Sequence, residues 1–469
     1  MQGRIEKDSL GEKEVPADAY YGIQTARAVE NYPISGWRAH PRLIDAYMYQ
    51  KKASALANKE AGVLKPDVAD AIVKACEEVL AGALRDQFVV DVFQAGAGVS
   101  QHMNTNEVLA NRAIEILGGR KGDYSVVHPN DHVNFGQSTN DTYPTAMRIA
   151  ALLCARDMEP ELAALETSLD AKAKEFDHVL KSGRTHLQDA VPVRLGQEFA
   201  AYARAMGRGR EVLKDACRQL QELGLGGTAA GTGLNTAPGY RERSIQHLRQ
   251  LTRLDLRPSP DMREAMQSNL PMSAIASAQR MIALEVIRIT NDLRLLASGP
   301  ITGMAEILLP AVQPGSSIMP GKVNPAILEM AAMVGFQAVG NAATVDYAVQ
   351  AGQLELNVMM PAMTFNVLTS FEILRNSLAV LRTRCIDGIR ADEAACLRYA
   401  ELSPSIVTAL NPYIGYAKGA EVVKEALKSK KTIPQVVREQ NLVSEEDLKQ
   451  ILDPFKMTEP GITGKKEKS

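Results

Sequence analysis

The chain has 469 residues, with 53 Lys and Arg against 55 Asp and Glu. That length exceeds one ordinary hydrophobic core, so about two to four structural regions are expected. A formal net charge of −2 with both signs intermixed gives no long-range field for nucleic acid or an anionic membrane. The expected partners are small molecules or copies of the same chain.

The N-terminus opens on Arg4, Glu6, Lys7 and Asp8 instead of an apolar run, and no stretch approaches the roughly 20 apolar residues of a membrane span. Cys76, Cys154, Cys217, Cys385 and Cys396 are scattered and include no Cys-x-x-Cys pair, so they read as reduced core thiols of a soluble, cytoplasmic protein. Aromatics are 5% of the composition with a single Trp37, while Ala, Leu and Met abound in long segments with few prolines. That balance favours helices.

Apolar residues at three- and four-residue spacing predict helices over Thr145 to Phe176, Leu195 to Leu223, Met272 to Leu296, Ala326 to Val345 and Pro361 to Leu381. Several carry apolar or small residues on more than one face, which implies burial in a tight bundle or against another subunit. Turn chemistry at Lys181-Ser182-Gly183-Arg184, Gly224 to Gly233 and Arg257-Pro258-Ser259-Pro260 separates them. Only the tail Gly464 to Ser469 reads as disordered.

Polar clusters stand at the edges of these helical runs. Gln137-Ser138-Thr139-Asn140-Asp141 precedes a helix expected to start near Pro144, and a helix N-terminus flanked by hydroxyls suits a carboxylate, although ordinary N-capping explains the same residues. In Gly183-Arg184-Thr185-His186-Leu187-Gln188-Asp189 the imidazole of His186 sits beside a hydroxyl and further polar groups that can orient it. Gly315-Ser316-Ser317-Ile318-Met319-Pro320-Gly321-Lys322-Val323-Asn324-Pro325 sets flexible residues beside two hydroxyls, an ammonium and an amide, which reads as an anion-handling loop. Such clusters are often plain surface loops. A phosphate-binding P-loop fails on spacing, because five residues separate Gly315 from Gly321 and Val323 stands where a Ser or Thr belongs.

No metal site is expected, since the seven histidines form no His-Glu-x-x-His helix and His128 with His132 has only Asp131 nearby. No cofactor is expected either, because Gly224 to Gly233 departs from the dinucleotide spacing.

The eleven residues from Gly315 to Pro325 resemble the signature loop of the fumarase/aspartase superfamily, in the Ile318-Met319-Pro320-Gly321-Lys322-Val323 form of its fumarase and aspartase branches. The resemblance runs from Gly11-Glu12-Lys13-Glu14-Val15-Pro16 to Met457-Thr458-Glu459-Pro460-Gly461-Ile462. It implies a mainly α fold with an N-terminal domain over 1–138, a central long-helix bundle over 139–392 and a small C-terminal domain over 393–469. It also implies a homotetramer whose active sites are each built from three subunits.

The resemblance further implies Ser316 as the general base that takes a β-proton from a small dicarboxylate. Thr185, Lys322 and Asn324 would hold the carboxylate that becomes an aci-carboxylate dianion, with Ser138, Thr139, Asn140 and Ser317 on the remaining groups. His186, paired with Glu329, would bind substrate or relay a proton. Glu329 also reads as an ordinary first-turn helix acid. Many fixed donors are needed for such an intermediate, because the proton leaves a carbon beside a carboxylate that is already anionic.

Lys121-Gly122-Asp123-Tyr124, Asn130-Asp131-His132-Val133-Asn134 and Ala351-Gly352-Gln353-Leu354-Glu355-Leu356-Asn357-Val358 look like the aspartase branch, which implies elimination of ammonia from L-aspartate or a related aminosuccinate to give fumarate. Four positions depart from that pattern. Val99 replaces a substrate-contacting Thr and His102 an Asn; Ile301 replaces an Arg, and Met360 stands where the aspartase branch has Glu and fumarases usually have Arg. Val cannot donate or accept a hydrogen bond, so one substrate contact is missing. The open alternatives are a fumarate hydratase, a lyase for an N-substituted aspartate, and a structural tetramer without catalysis.

Overall fold

A computed structural model describes residues 3–464; the remainder of the tail, Lys465 to Ser469, lies outside the described residues. The fold is mainly α, and its few strands form two-stranded pairs. β1 (Gly3–Asp8) and β2 (Gly11–Pro16) form an antiparallel hairpin, followed by α1 (Ile23–Asn31), α2 (Pro41–Glu60), α3 (Pro66–Leu80) and α4 (Val99–Ile116). The long helices are α5 (Thr139–Glu175), α6 (Leu195–Leu220), α9 (Leu270–Leu296), α10 (Ala326–Gln350) and α11 (Met360–Arg384), with α7 (Tyr240–Thr252) and α8 (Met262–Gln267) between them. β3 (Leu180–Thr185) and β4 (Gln188–Arg194) make a second antiparallel hairpin.

The five expected long helices are present, with two local differences from the sequence reading. α5 begins at Thr139 instead of near Pro144, because Ser138 caps it and the proline is accommodated inside the helix. The segment Lys181-Ser182-Gly183-Arg184 is not a turn but part of β3, which shifts register between Ser182 and Arg184. Gly183 fits there because a Cβ would come within 2.7 Å of the Val191 carbonyl oxygen. The turn itself falls at His186 and Leu187.

The chain divides into two compact units. The first comprises Met1–Pro160, Gly209–Leu284 and Val334–Arg375. Within it α2 packs against α3 and α7, and α3 against α4. The second comprises Glu161–Arg208, Glu285–Met333 and Asn376–Ser469. Its C-terminal helices surround an apolar cluster that includes Leu410, Val422, Val437 and Leu448.

α9 and α10 are long and apolar enough to cross a membrane by length and composition, and only 44% and 39% of their most apolar stretches are buried within the chain. This departs from the expectation that no stretch approaches a span, since isolated charges such as Arg280 interrupt the runs without lowering their average much. Large side chains stay uncovered on them, notably Met281, Leu284, Met333, Phe336 and Tyr347.

In the first unit one buried carboxylate organises the N-terminal segment. Gly22 heads α1 and offers no side chain to cap it. Glu107 on α4, only 2% exposed, supplies the cap instead. Its carboxylate accepts from the backbone N–H groups of Gly22 (2.8 Å), Gln24 (2.9 Å) and Thr25 (3.1 Å), and from the Thr25 hydroxyl (2.6 Å). Losing it would strand four donors, each costing on the order of 1 kcal/mol or more when left unpaired. Glu107→Ala should therefore destabilise the protein by about 3 kcal/mol or more, read as a lowered midpoint in denaturant unfolding.

Candidate active site

Ser138, Thr139 and Asn140 stand at the start of α5. The Ser138 hydroxyl accepts from the Asn140 N–H at 3.2 Å, so the N-capping reading of this serine holds. Asp141 completes the cap by accepting from the Ser138 N–H at 3.0 Å, and its other oxygen accepts from the N–H groups of Gly226 and Thr228, each at 3.0 Å. Burial pushes the Asp141 carboxyl up to about 6, against the pull of those backbone donors. Asn140 donates from its amide to the Ala229 carbonyl at 2.8 Å. The glycine-rich stretch after residue 224 thus serves as a clamp on the first turn of α5.

Beneath Thr139 lies a buried polar network. His102 on α4 is 1% exposed, and its Nδ1 is 2.7 Å from the Thr139 hydroxyl. Its Nε2 is 2.7 Å from Lys51 Nζ, which also donates to Asn134 Oδ1 (3.0 Å) and Gln137 Oε1 (2.9 Å). The His102 ring lies nearly parallel to Tyr47, with centroids 6.0 Å apart. Burial, then the positive charge of Lys51, holds the imidazole well below its ordinary pKa, so it is neutral near pH 7. Burial pushes Lys51 down to about 7, while the Asp141 carboxylate pulls it back up.

Sequence reading marked His102 as a departure but missed Lys51. The available signal was Tyr47, Lys51, Ser54 and Asn58, polar groups recurring on the buried face of α2. Val99 is the first residue of α4, 40% exposed and one turn before His102. Gly98 ahead of it adopts φ +92°, and a Cβ there would overlap the Tyr143 ring. Met360, at the head of α11, is fully buried.

The second unit holds the signature loop. Its neck is closed by the Gly315 N–H on the Lys322 carbonyl (2.8 Å) and by the Asn324 amide on the Gly315 carbonyl (2.6 Å). Gly315 is required, because a Cβ would come within 2.5 Å of Lys322 O and 2.7 Å of Asn324 N. Inside the loop the Ser316 Oγ accepts from two backbone N–H groups, Met319 at 2.9 Å and Ile318 at 3.3 Å. Ser317 and Lys322 are exposed. Glu329, in the first turn of α10, faces Arg294 at 3.8 Å. A cavity of about 820 Å³ lies between the end of α9 and the loop, lined by Arg294, Ser298, Lys322, Asn324 and Glu329 among others. Ile301 is 88% exposed.

Thr185 and His186 are at the tip of the β3–β4 hairpin. Thr185 pairs with Gln188, which leaves His186 and Leu187 as a two-residue turn with φ +56° and +58°. Turns of that kind normally use Asn-Gly, since a side chain in the left-handed region costs about 1–2 kcal/mol per residue. Strand β3 is fixed by a buried ion cluster in which Glu306 meets Arg184 (2.8 Å) and Lys181 (3.1 Å), and Lys181 meets Glu198 (2.7 Å). Among the described residues the side chains of Thr185, His186, Ser317 and Lys322 make no hydrogen bond within the chain. His186 and Glu329 are likewise not paired with each other inside one chain.

A loop that directs two backbone donors onto a serine oxygen, with an ammonium six residues on, can stabilise negative charge on that oxygen. Residues 11–340 match the family described as Lyase, and residues 406–459 match the one described as Fumarase C C-terminus. The chain belongs to the fumarase/aspartase superfamily of lyases. It is 46% identical over 462 residues to the aspartate ammonia-lyase of Bacillus subtilis, covering 98% of this chain and 97% of that one. It is 48% identical over 460 residues to the fumarate hydratase class II of Halobacterium salinarum, covering 98% of each. Among solved structures, the fumarate lyase:delta crystallin of Brucella melitensis aligns with a TM-score of 0.94 at 45% identity, covering 98% of this chain and 100% of that one. The class II fumarase of Schistosoma mansoni aligns with a TM-score of 0.95 at 36% identity, covering 97% and 99%.

Strain held at the hairpin tip makes a trade-off measurable. Replacing His186 and Leu187 together by Asn and Gly should raise stability to denaturant by about 1–2 kcal/mol while removing turnover. Unfolding midpoints and steady-state rates of the two proteins check both halves.

Proposed function

We propose that this chain is an aspartate ammonia-lyase that reversibly eliminates ammonia from L-aspartate to give fumarate. The observation that carries the reading is the pair of backbone N–H groups aimed at the Ser316 oxygen. An unassisted serine is far too weakly acidic to serve as a base near neutral pH. Two fixed dipoles and the Lys322 ammonium lower the energy of its alkoxide once water is excluded.

The Ser316 oxygen then takes the β-proton, and the electron pair of that C–H bond enters the adjacent carboxylate as an aci-carboxylate dianion. Thr185, Lys322 and Asn324 stabilise those two oxygens; Ser138, Thr139, Asn140 and Ser317 hold the other groups. The dianion collapses by forming the carbon–carbon double bond and breaking C–N. Ammonia leaves anti, and the proton on Ser316 passes to solvent or to the departing ammonia. His186 and Glu329 form an acid–base pair that binds substrate or relays a proton, with the two residues drawn from different chains.

This reading requires assembly. A homotetramer whose sites each draw on three subunits would cover Met333, Phe336 and Tyr347 on α10 and give His186 its partner. Three domains, over 1–138, 139–392 and 393–469, are part of the same proposal. The five free cysteines, four of them buried, fit the reducing cytoplasm. A second reading, fumarate hydratase, is favoured by the Halobacterium relative. Loss of the hydroxyl at Val99 favours a third, a lyase for an N-substituted aspartate.

Mixing the protein with L-aspartate should raise the ultraviolet absorbance of fumarate, and Ser316→Ala should lower the rate by about 10²- to 10⁴-fold with an unchanged unfolding midpoint. L-malate offered in parallel distinguishes the hydratase, and full activity in Ser316→Ala would remove the serine base from the mechanism. Sedimentation should give a particle of four times the 50.9 kDa chain.

A further inference from the structure

The buried network under Thr139 fixes where its protons lie. The Asn134 amide nitrogen donates to the Gln137 carbonyl at 3.2 Å, and the Gln137 amide nitrogen donates to the carbonyls of Val133 (3.2 Å) and Phe135 (3.3 Å). Both side chains must therefore turn their oxygens toward Lys51. An ammonium has three hydrogens, and Lys51 has three neighbours at bonding distance: those two oxygens and His102 Nε2. Nε2 is then the acceptor. The Asn106 amide nitrogen, a donor 3.4 Å from Nε2, agrees, whereas Thr142, 3.3 Å away, spends its hydroxyl proton on the Ser138 carbonyl at 2.7 Å and makes no hydrogen bond to an Nε2 without hydrogen. A neutral imidazole that accepts at Nε2 carries its hydrogen on Nδ1, and that hydrogen points at the Thr139 oxygen 2.7 Å away.

Thr139 thus receives a hydrogen bond from below, and its own O–H has no acceptor among the described residues. We propose that Lys51 and His102 are positioning residues that lock the Thr139 hydroxyl as a donor aimed at an anionic group of the substrate. With Lys51 protonated, the relay also sets a buried positive charge behind that donor, a charge-assisted contact that offsets the hydroxyl missing at Val99. This inference rests on the dicarboxylate reading of the site for its functional half, whereas the proton arrangement rests on the hydrogen-bond geometry with Lys51 as an ammonium.

Steady-state kinetics with L-aspartate and binding of the unreactive dicarboxylate succinate test the functional half. His102→Leu should raise KM and the succinate Kd by about tenfold or more while kcat changes less than about threefold. His102→Asn, whose amide nitrogen can occupy the place of Nδ1, should restore most of that loss. Thr139→Val should show the same rise, and the double variant His102→Leu/Thr139→Val should be no worse than Thr139→Val alone. Additive losses, or a fall in kcat at constant KM, would overturn the proposal. Neutron diffraction from crystals of the full chain reads the protons directly, with or without turnover. Deuterium on Nδ1 and three deuterons on Lys51 are expected, and deuterium on Nε2 ends the proposal even if aspartate is the substrate. If the protein turns over neither aspartate nor malate and does not bind succinate, the dicarboxylate reading fails separately while the neutron result still decides the relay.

Discussion

A hydrogen-bond donor stabilises developing charge only when its own position is already held by bonds it does not have to give up. That constraint governs the architecture around the start of α5 in one unit and the signature loop in the other. Asp141 places its two oxygens on three backbone N–H groups, and so ties the first turn of α5 to the Gly226–Thr228 stretch before any ligand arrives. Asn324 does the equivalent for the signature loop by closing its neck onto Gly315. Those anchors hold the backbone that carries Thr139 and Ser316.

Burial of charge follows the same rule. Glu107, Asp141, Lys51 and Glu306 are all removed from water, and each is matched by a set of donors or acceptors from segments remote in sequence. An isolated buried charge would be expensive, so these groups persist only because the surrounding backbone supplies their partners. The strained turn at His186 and Leu187 belongs to the same economy: the ion cluster of Lys181, Arg184 and Glu306 along β3 keeps two side chains in a backbone region they would otherwise leave.

The departures noted in the sequence take on different weight in three dimensions. Val99 and His102 sit one helical turn apart at the start of α4, so a hydroxyl lost at one is accompanied by an imidazole gained at the other. Met360 is fully buried in the chain, where it fills space, while Ile301 is almost fully exposed. His102 therefore acts directly on Thr139, with Val99 one turn before it on α4, and the other two changes differ in kind from each other.

Much of this protein was legible from its residues in order. Apolar periodicity located the five long helices, because a 3.6-residue repeat is a local property that packing only has to accept. The run from Gly315 to Pro325 read as an anion-handling loop for a similar reason, since serine, lysine and asparagine within one short loop are brought together by the chain itself; the reaction was implied by its resemblance to the superfamily's signature loop. Other features depended on contacts between distant segments. The hairpin over 180–194 read as a turn because Gly183 is a turn former in isolation, and only its register with β4 makes it a strand residue. Helix α5 starts at Thr139 and not near Pro144 because Ser138 and Asp141 cap it, and Asp141 is held in turn by Gly226 and Thr228. Lys51, His102 and Thr139 lie on three different helices. Periodicity could bury each of them, but their mutual distances, and with them the direction of a single hydroxyl proton, exist only once α2, α4 and α5 have packed together.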